Sequence, residues 1–308
     1  MDNFMPKLLI LSRQADLYLQ AIQAANLPEL EAVTTLSPNC ELVFGEPTLI
    51  REILPALPAL KWVQSTWAGV EPLLDPTLRR DYVLTNARGV FGPLMSEFVF
   101  GYLLLHERKI LQRLEAQKLS KWDDTLTGTL RGKTIGLLGV GSIGAHLAST
   151  AKHFGMTVRG YTRESETSQQ VDQYYHGADI FKFACELDCL VSILPNTTQT
   201  QQLVNSELIS QLPSRALFIN VGRGSAVDES ALTQALETGK IAGAVLDVFE
   251  REPLPAEHPF WRTKNLFITS HTSAPSFPQE IADVFIENYH LYTAGQPLKY
   301  QVDFKKGY

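Results

Sequence analysis

Cysteine is scarce in this chain of 308 residues, which holds only Cys40, Cys185 and Cys189. An odd number without metal-site spacing gives neither a disulfide framework nor a metal set. The opening MDNFMPKLLIL also lacks the basic stretch and long apolar core of a secretory leader, so a reducing cytoplasmic setting is expected. Cys185 and Cys189 stand four apart near a helix-to-strand junction and are expected to be buried structural thiols. No run approaches the ~18 apolar residues of a membrane-spanning helix, so no membrane partner is expected. Basic clusters are missing as well. The 27 lysines and arginines are scattered among 33 acidic residues, for a formal charge of −6. That balance argues against nucleic acid or anionic lipid and leaves small molecules as the expected partners.

What remains is ordinary globular composition, with 44% apolar and 19% charged residues. The length suits two domains and is enough to bury roughly three quarters of the surface of the unfolded chain. Apolar stretches alternate with helical segments: KLLIL, a helix to about Ala25, ELVFGEP, then REILPALPALKWVQ leading into STWAGVEPLL. From Leu94 the helical spacing runs on for about 25 positions, which predicts one long helix able to bridge two domains. Further strands are expected at TIGLL, MTVRGY, CLVSILP, ALFINVG, IAGAVLDVF and NLFITS, and a last amphipathic helix at SFPQEIADVFIENYHLYTAG. Such alternation predicts an α/β fold with a parallel, doubly wound sheet.

Gly139-Val140-Gly141-Ser142-Ile143-Gly144 is a GxGxxG pattern placed after an apolar strand and before a helix. In that context Gly139 makes the turn, Gly141 lets backbone amides approach a pyrophosphate, and Gly144 allows close helix packing. Dinucleotide binding is the reading. An acidic residue about 20 positions further on would hold the ribose 2′-hydroxyl of NAD. Thr162 stands there instead, followed by Arg163, and a guanidinium pairs with the 2′-phosphate of NADP(H). A solvated Arg163, with Glu164 serving NAD(H) one place late, is the alternative.

The stretch LFINVGRGSA puts Arg223 between two glycines just past a buried strand. It reads either as a surface turn whose glycines supply positive φ, or as a charge with work to do. Glu252 in FEREPLP and His271 at the end of NLFITSH lie at equivalent strand ends, where open α/β sheets bind ligands. Together they meet the needs of carbonyl reduction. An imidazolium supported by a carboxylate gives the proton, and an arginine polarises the carbonyl and pairs with a neighbouring carboxylate.

The segment FINVGRGSAVDESALTQALETGKIAGAVLDVFEREPLPAEHPFW resembles the signature region of the D-isomer-specific 2-hydroxyacid dehydrogenases. The likeness extends to STWAGVEPLL, TNARGVFGPLMSEFVFGYLLL, LRGKTIGLLGVGSIG and SILPNTTQT. It implies a catalytic Arg223, Glu252 and His271, with Asp247 near the nicotinamide carboxamide and Pro195 and Val221 also at the cofactor. The backbone at Trp67, Ala68, Gly69 and Val70 would take the substrate carboxylate. It further implies a Rossmann-type dinucleotide domain (97–276) and a smaller flavodoxin-like substrate domain from both chain ends (1–96 and 277–308), with the active site in the cleft. A homodimer through the dinucleotide domain follows from the same resemblance, with Trp122 the aromatic residue that would reach the partner. No metal is expected. The expected activity is that of a glyoxylate/hydroxypyruvate type of reductase acting on a small 2-oxo or 2-hydroxy acid, with NADP(H) preferred and NAD(H) possible. An NAD-linked relative acting on lactate or 3-phosphoglycerate, or a dinucleotide-sensing corepressor, are the alternatives. One departure is Ser270, where the family commonly has a proline before its histidine.

Overall fold

The computed structural model describes residues 5–307, so the MDNF on which the reading of the N-terminus partly drew lies outside the described residues. The chain divides into two compact units, one built from residues 1–90 and 276–308 and the other from residues 91–275. Each carries its own all-parallel sheet.

The first unit contains β1 (Lys7–Leu11), α1 (Ala15–Ala24), β2 (Glu31–Val33), β3 (Leu42–Gly45), α2 (Pro47–Ile53), β4 (Trp62–Ser65) and β5 (Val83–Thr85). Its strands lie in the order β2-β1-β3-β4-β5. The central strands LVFG and WVQS are buried along their whole length, as strands covered on both faces must be. The last helix of the chain, α9 (Pro278–Thr293), closes one face. Its Phe285 stacks on Phe44 and Trp62 at centroid distances of 5.1 and 5.0 Å, and the amide of Asn288 donates to Gln64 Oε1 over 3.0 Å. Both chain ends therefore build one core.

The second unit runs through α3 (Gly92–Glu107), α4 (Ile110–Lys118), β6 (Thr134–Leu138), α5 (Ser142–His153), β7 (Thr157–Tyr161), β8 (Gln173–Tyr175), α6 (Ile180–Ala184), β9 (Cys189–Ser192), α7 (Ser206–Gln211), β10 (Leu217–Asn220), α8 (Glu229–Glu237), β11 (Gly243–Leu246) and β12 (Leu266–Ile268). The strand order is β12-β11-β10-β9-β6-β7-β8, a doubly wound sheet whose direction of winding reverses between β6 and β9. All seven carboxyl ends share one edge, and that edge positions the site.

Two expectations, and one of the two readings of the Arg223 turn, need correction. The predicted long helix is two helices, because Lys109 takes the left-handed conformation (φ 51°) and its N–H closes on the His106 carbonyl at 3.1 Å. The physical reason is the end of the apolar face: α3 buries Ser96, Val99, Phe100 and Leu103, whereas α4 buries nothing. The loop after α4 folds back onto the break, where Gly128 N–H donates to the Glu107 carbonyl and Lys133 pairs with the Glu107 carboxylate at 3.2 Å. Of the two cysteines four apart only Cys189 is buried; Cys185 is exposed at the end of the short α6, with Sγ 3.2 Å from the Phe181 carbonyl. The glycines flanking Arg223 supply no positive φ. They are required by close approach, as the site shows.

Candidate active site

The glycine turn is built as the spacing implies, and each glycine has a distinct reason. Gly139 turns the chain at φ 94° as it leaves β6. A Cβ on Gly144 would stand 2.3 Å from the Gly139 carbonyl oxygen, so α5 packs onto the turn only with glycine there. A Cβ on Gly141 would meet nothing within 4 Å. Packing does not explain Gly141, and the open space beside it leaves room for a polyanion to approach the backbone. Gly141 and Ser142 are exposed at the start of α5, whose N-terminal amides suit a pyrophosphate, and Ile143 is half-buried behind them. The donor set fits a dinucleotide.

Along the same edge, Pro195 follows β9 half-buried, its carbonyl accepting from Thr200 Oγ1 at 2.6 Å, and Val221 follows β10 buried. Thr162 follows β7 buried, and its hydroxyl donates to the Ser165 carbonyl at 2.8 Å. Arg163 and Glu164 are both exposed on that loop.

At the other half of the edge three charged groups converge. His271 Nδ1 lies 2.8 Å from Glu252 Oε2, and Glu252 Oε1 accepts the N–H of Phe249 at 3.0 Å. The Glu252 hydrogen bond raises the His271 pKa most; burial and the positive charge of Arg223 act against it, and the net direction is up. Burial pushes the Glu252 carboxyl upward, but the bonds from His271 and Phe249 and the charges of His271 and Arg223 outweigh it, so the carboxylate is favoured. Arg223 is half-buried, with Nη1 2.8 Å from the Gly222 carbonyl.

Arg223 comes close to Glu252 through its glycine neighbour. A Cβ on Gly224 would stand 1.8 Å from the carbonyl carbon of Phe249, and one on Gly222 would stand 2.6 Å from Leu194 N. The turn after β10 therefore lies directly against the backbone leading to Glu252. His271 is itself in the left-handed region (φ 55°), a conformation costing roughly 1 kcal/mol for a residue with a side chain.

Asp247 supplies the hold that keeps His271 there. It is fully buried, and its oxygens accept from Thr269 Oγ1 (2.5 Å), Thr272 N (2.8 Å) and Ser273 N (2.9 Å), while its carbonyl accepts from His271 N (2.8 Å). Burial alone would raise its pKa, yet the hydrogen bonds from Ser273, Thr269 and Thr272 bring it below the ordinary value. A second tie fixes the Glu252 loop. Glu229 accepts from Glu250 N at 3.1 Å and faces His258 Nε2 at 3.1 Å, a pairing the sequence did not announce because its members are 29 residues apart.

In the first unit, the turn after β4 carries Trp67 to Val70. Ser65 Oγ receives the Trp67 N–H and donates to the Trp67 carbonyl, both at 2.9 Å, and Asn86 donates to the Ala68 carbonyl at 2.6 Å. Trp67 is exposed, Ala68 and Gly69 half-buried and Val70 buried. The N–H groups of Ala68 and Gly69 meet no protein acceptor among the described residues.

A dinucleotide turn at one strand end and a charged triad across the same edge define an NAD(P)-dependent dehydrogenase. Residues 100–273 match the family model described as D-isomer specific 2-hydroxyacid dehydrogenase, NAD binding domain. The chain is 33% identical over 258 residues to glyoxylate/hydroxypyruvate reductase A of Salmonella newport, covering 81% of this chain and 82% of that one. A solved D-isomer specific 2-hydroxyacid dehydrogenase family protein from Aeromonas salmonicida superposes with a TM-score of 0.92 at 42% identity, over 98% of this chain and 100% of that one. Another, from Xanthobacter autotrophicus in complex with NADPH and MES, gives 0.88 at 31% identity, over 97% and 99%. The chain belongs to the D-isomer specific 2-hydroxyacid dehydrogenases.

Proposed function

We propose that the chain reduces 2-oxo acids of glyoxylate and hydroxypyruvate size to the D-2-hydroxy acids, using NADPH in preference to NADH. The observation that carries this reading is the 2.8 Å His271–Glu252 pair with Arg223 beside it, on the sheet edge that bears the glycine turn. A bound nicotinamide supplies the hydride. His271, kept protonated by Glu252, gives the proton that the nascent alkoxide requires. Arg223 draws electron density from the carbonyl and pairs with the adjoining carboxylate, for which its planar fork is suited. Ala68 and Gly69 offer further N–H donors of the kind that bind a carboxylate. Asp247 acts as a positioning residue for the His271 turn, while Pro195 and Val221 line the cofactor's side of the edge. The substrate class is supported by the relative named glyoxylate/hydroxypyruvate reductase A, and the cofactor by the neighbour solved with NADPH together with Thr162 and Arg163 in place of an acidic residue. The division of labour follows the two units, the first handling substrate and the second the dinucleotide.

The chain assembles as a homodimer through the second unit. The support is α4 and its sequel, where Ile110, Leu111, Leu114, Leu119, Trp122 and Leu126 are all exposed, Trp122 at 94% and Leu126 at 90%. Apolar surface gathered on one segment in this way suits an interface, with Trp122 its outermost side chain. The free cysteines fit work in the reducing cytoplasm.

The test is loss of absorbance at 340 nm with glyoxylate, hydroxypyruvate, pyruvate and phosphohydroxypyruvate, each with NADPH and NADH. The highest kcat/KM is expected for the first two with NADPH. Turnover confined to NADH, or to pyruvate or the phosphorylated acid, would overturn the proposal.

A further inference from the structure

The carboxyl edge of the second sheet carries a histidine, His176, that the GxGxxG and strand-end patterns do not reveal. β7 and β8 pair in parallel with Tyr161 opposite Tyr175, and the Thr162 N–H continues the ladder to the Tyr175 carbonyl at 3.1 Å. The next residues along, Thr162 and His176, are therefore neighbours where the two strands end. His176 Nδ1 lies 3.0 Å from the Thr162 carbonyl oxygen, and its Nε2 lies 2.7 Å from Glu166 Oε1. A carbonyl and a carboxylate can only accept, so these two contacts favour the doubly protonated ring; the Thr162 hydroxyl also lies 3.3 Å from Nδ1. The Tyr174 ring lies parallel to it at 6.5 Å. The charged groups bearing on it are Glu166 from the loop after β7 and Asp179 from the turn before α6, the latter paired with Lys182 at 2.8 Å; Arg163 and Glu164 belong to the same loop as Glu166. Hydrogen bonding to Glu166 is the largest influence raising the His176 pKa, followed by the bond to Thr162.

This is the strand end at which dinucleotide sheets read the adenosine ribose. We propose that His176 is a second cation for the 2′-phosphate of NADP(H), and that Glu166 is the chain's own stand-in for that phosphate, displaced when the cofactor binds. The inference rests on the NADPH reading of Thr162 and Arg163. Glu166 is suited to release, since its side chain is 56% exposed on the loop and its carboxylate offers one negative charge. A phosphate brings closer to two charges and three acceptor oxygens, so it holds an imidazolium more strongly than a carboxylate does. Glu166 therefore costs affinity for phosphorylated cofactor while keeping His176 charged and in place. The contribution of His176 to binding is present while the ring is protonated and is lost as pH rises through its elevated pKa. Ligands without a 2′-phosphate should show no such dependence.

The experiment is calorimetric titration of 2′,5′-ADP and of 5′-AMP into wild type, His176→Gln, Glu166→Gln and Arg163→Ala at pH 7.5 and pH 9, where the phosphate is fully dianionic. His176→Gln should weaken 2′,5′-ADP by about five- to twentyfold at pH 7.5, as expected for one charge-assisted contact, and leave 5′-AMP unchanged. Glu166→Gln should strengthen 2′,5′-ADP by roughly threefold or more at pH 7.5 and make its weakening at pH 9 more pronounced, because the imidazolium has lost its support. A wild type that prefers 2′,5′-ADP and loses that preference with Arg163→Ala, but is indifferent to His176→Gln, would overturn the role of His176 and leave the NADPH reading standing. Glu166→Gln weakening 2′,5′-ADP would overturn the stand-in role. A wild type with no preference for 2′,5′-ADP would sink the NADPH reading and this inference with it.

Discussion

Replacing Gly224 by alanine tests how the site is assembled, because one methyl group would be placed inside another segment's backbone. The added Cβ would stand 1.8 Å from the Phe249 carbonyl carbon, 2.1 Å from its oxygen and 2.3 Å from Glu250 N. No side chain can swing aside to relieve this, so one of the two turns must retreat by about 1 Å or more. Overpacking of this kind costs about 1–3 kcal/mol, which for a unit of this size lowers the melting temperature by roughly 2–12 °C. The activity should fall further than the stability. Phe249 N–H is bonded to Glu252, so a retreating loop draws the carboxylate away from His271, and a misplacement of about 1 Å costs on the order of 10²-fold in rate. Gly141→Ala is the contrasting variant, since its Cβ meets nothing within 4 Å. Its melting temperature should stay at the wild-type value, while KM for NADPH should rise if the exposed turn receives the pyrophosphate. Thermal scans and kcat/KM on both proteins decide the matter. A Gly224→Ala enzyme with wild-type melting and efficiency would refute the packing argument, and a destabilised Gly141→Ala would refute its counterpart.

Reduction should be fastest at low pH and decline as pH rises through the His271 pKa, which Glu252 holds above the ordinary histidine value. In Glu252→Gln the decline should begin at lower pH, and an unmoved profile would separate the two residues functionally. Arg223→Lys should lose on the order of 10²-fold or more in kcat/KM for 2-oxo acids, since an ammonium cannot reproduce a planar two-point contact; near-normal efficiency would return Arg223 to the role of a turn residue. Leu114→Asp on α4, which is 47% exposed, should leave melting close to wild type but convert a dimer to a monomer in sedimentation. An unchanged sedimentation coefficient would count against α4 as the interface.

The alternation of strands and helices was readable because central parallel strands such as LFIN and CLVS are buried throughout and appear as continuous apolar runs. β2, β5 and β8 were not readable. Each is only three residues long, too short for any periodic signal. Missing β8 meant missing His176, whose place beside Thr162 depends on that pairing. The two-helix break at Lys109 was hidden for a related reason, since the apolar spacing persists into α4 although nothing there is buried. Around Arg223 the sequence showed two glycines but not their purpose. Positive φ is a local property that a turn pattern suggests, whereas the approach of Gly224 to Phe249 joins segments 25 residues apart and exists only in the folded sheet. Asp247 likewise stood out by resemblance as a neighbour of the cofactor, while its three bonds to the turn of His271 depend on the pairing of β11 with β12.

The central claim is that His271 gives the proton in a reduction carried out at this sheet edge. It is tested most directly by rapid mixing of NADPH-loaded wild type and His271→Gln with hydroxypyruvate, alongside calorimetric binding of NADPH to each. The glutamine side chain leaves the cofactor's glycine turn untouched, so the dissociation constants should agree within about twofold, while the single-turnover rate should fall by about 10²–10⁴-fold. A His271→Gln enzyme that binds NADPH normally and oxidises it at the wild-type rate would contradict the account.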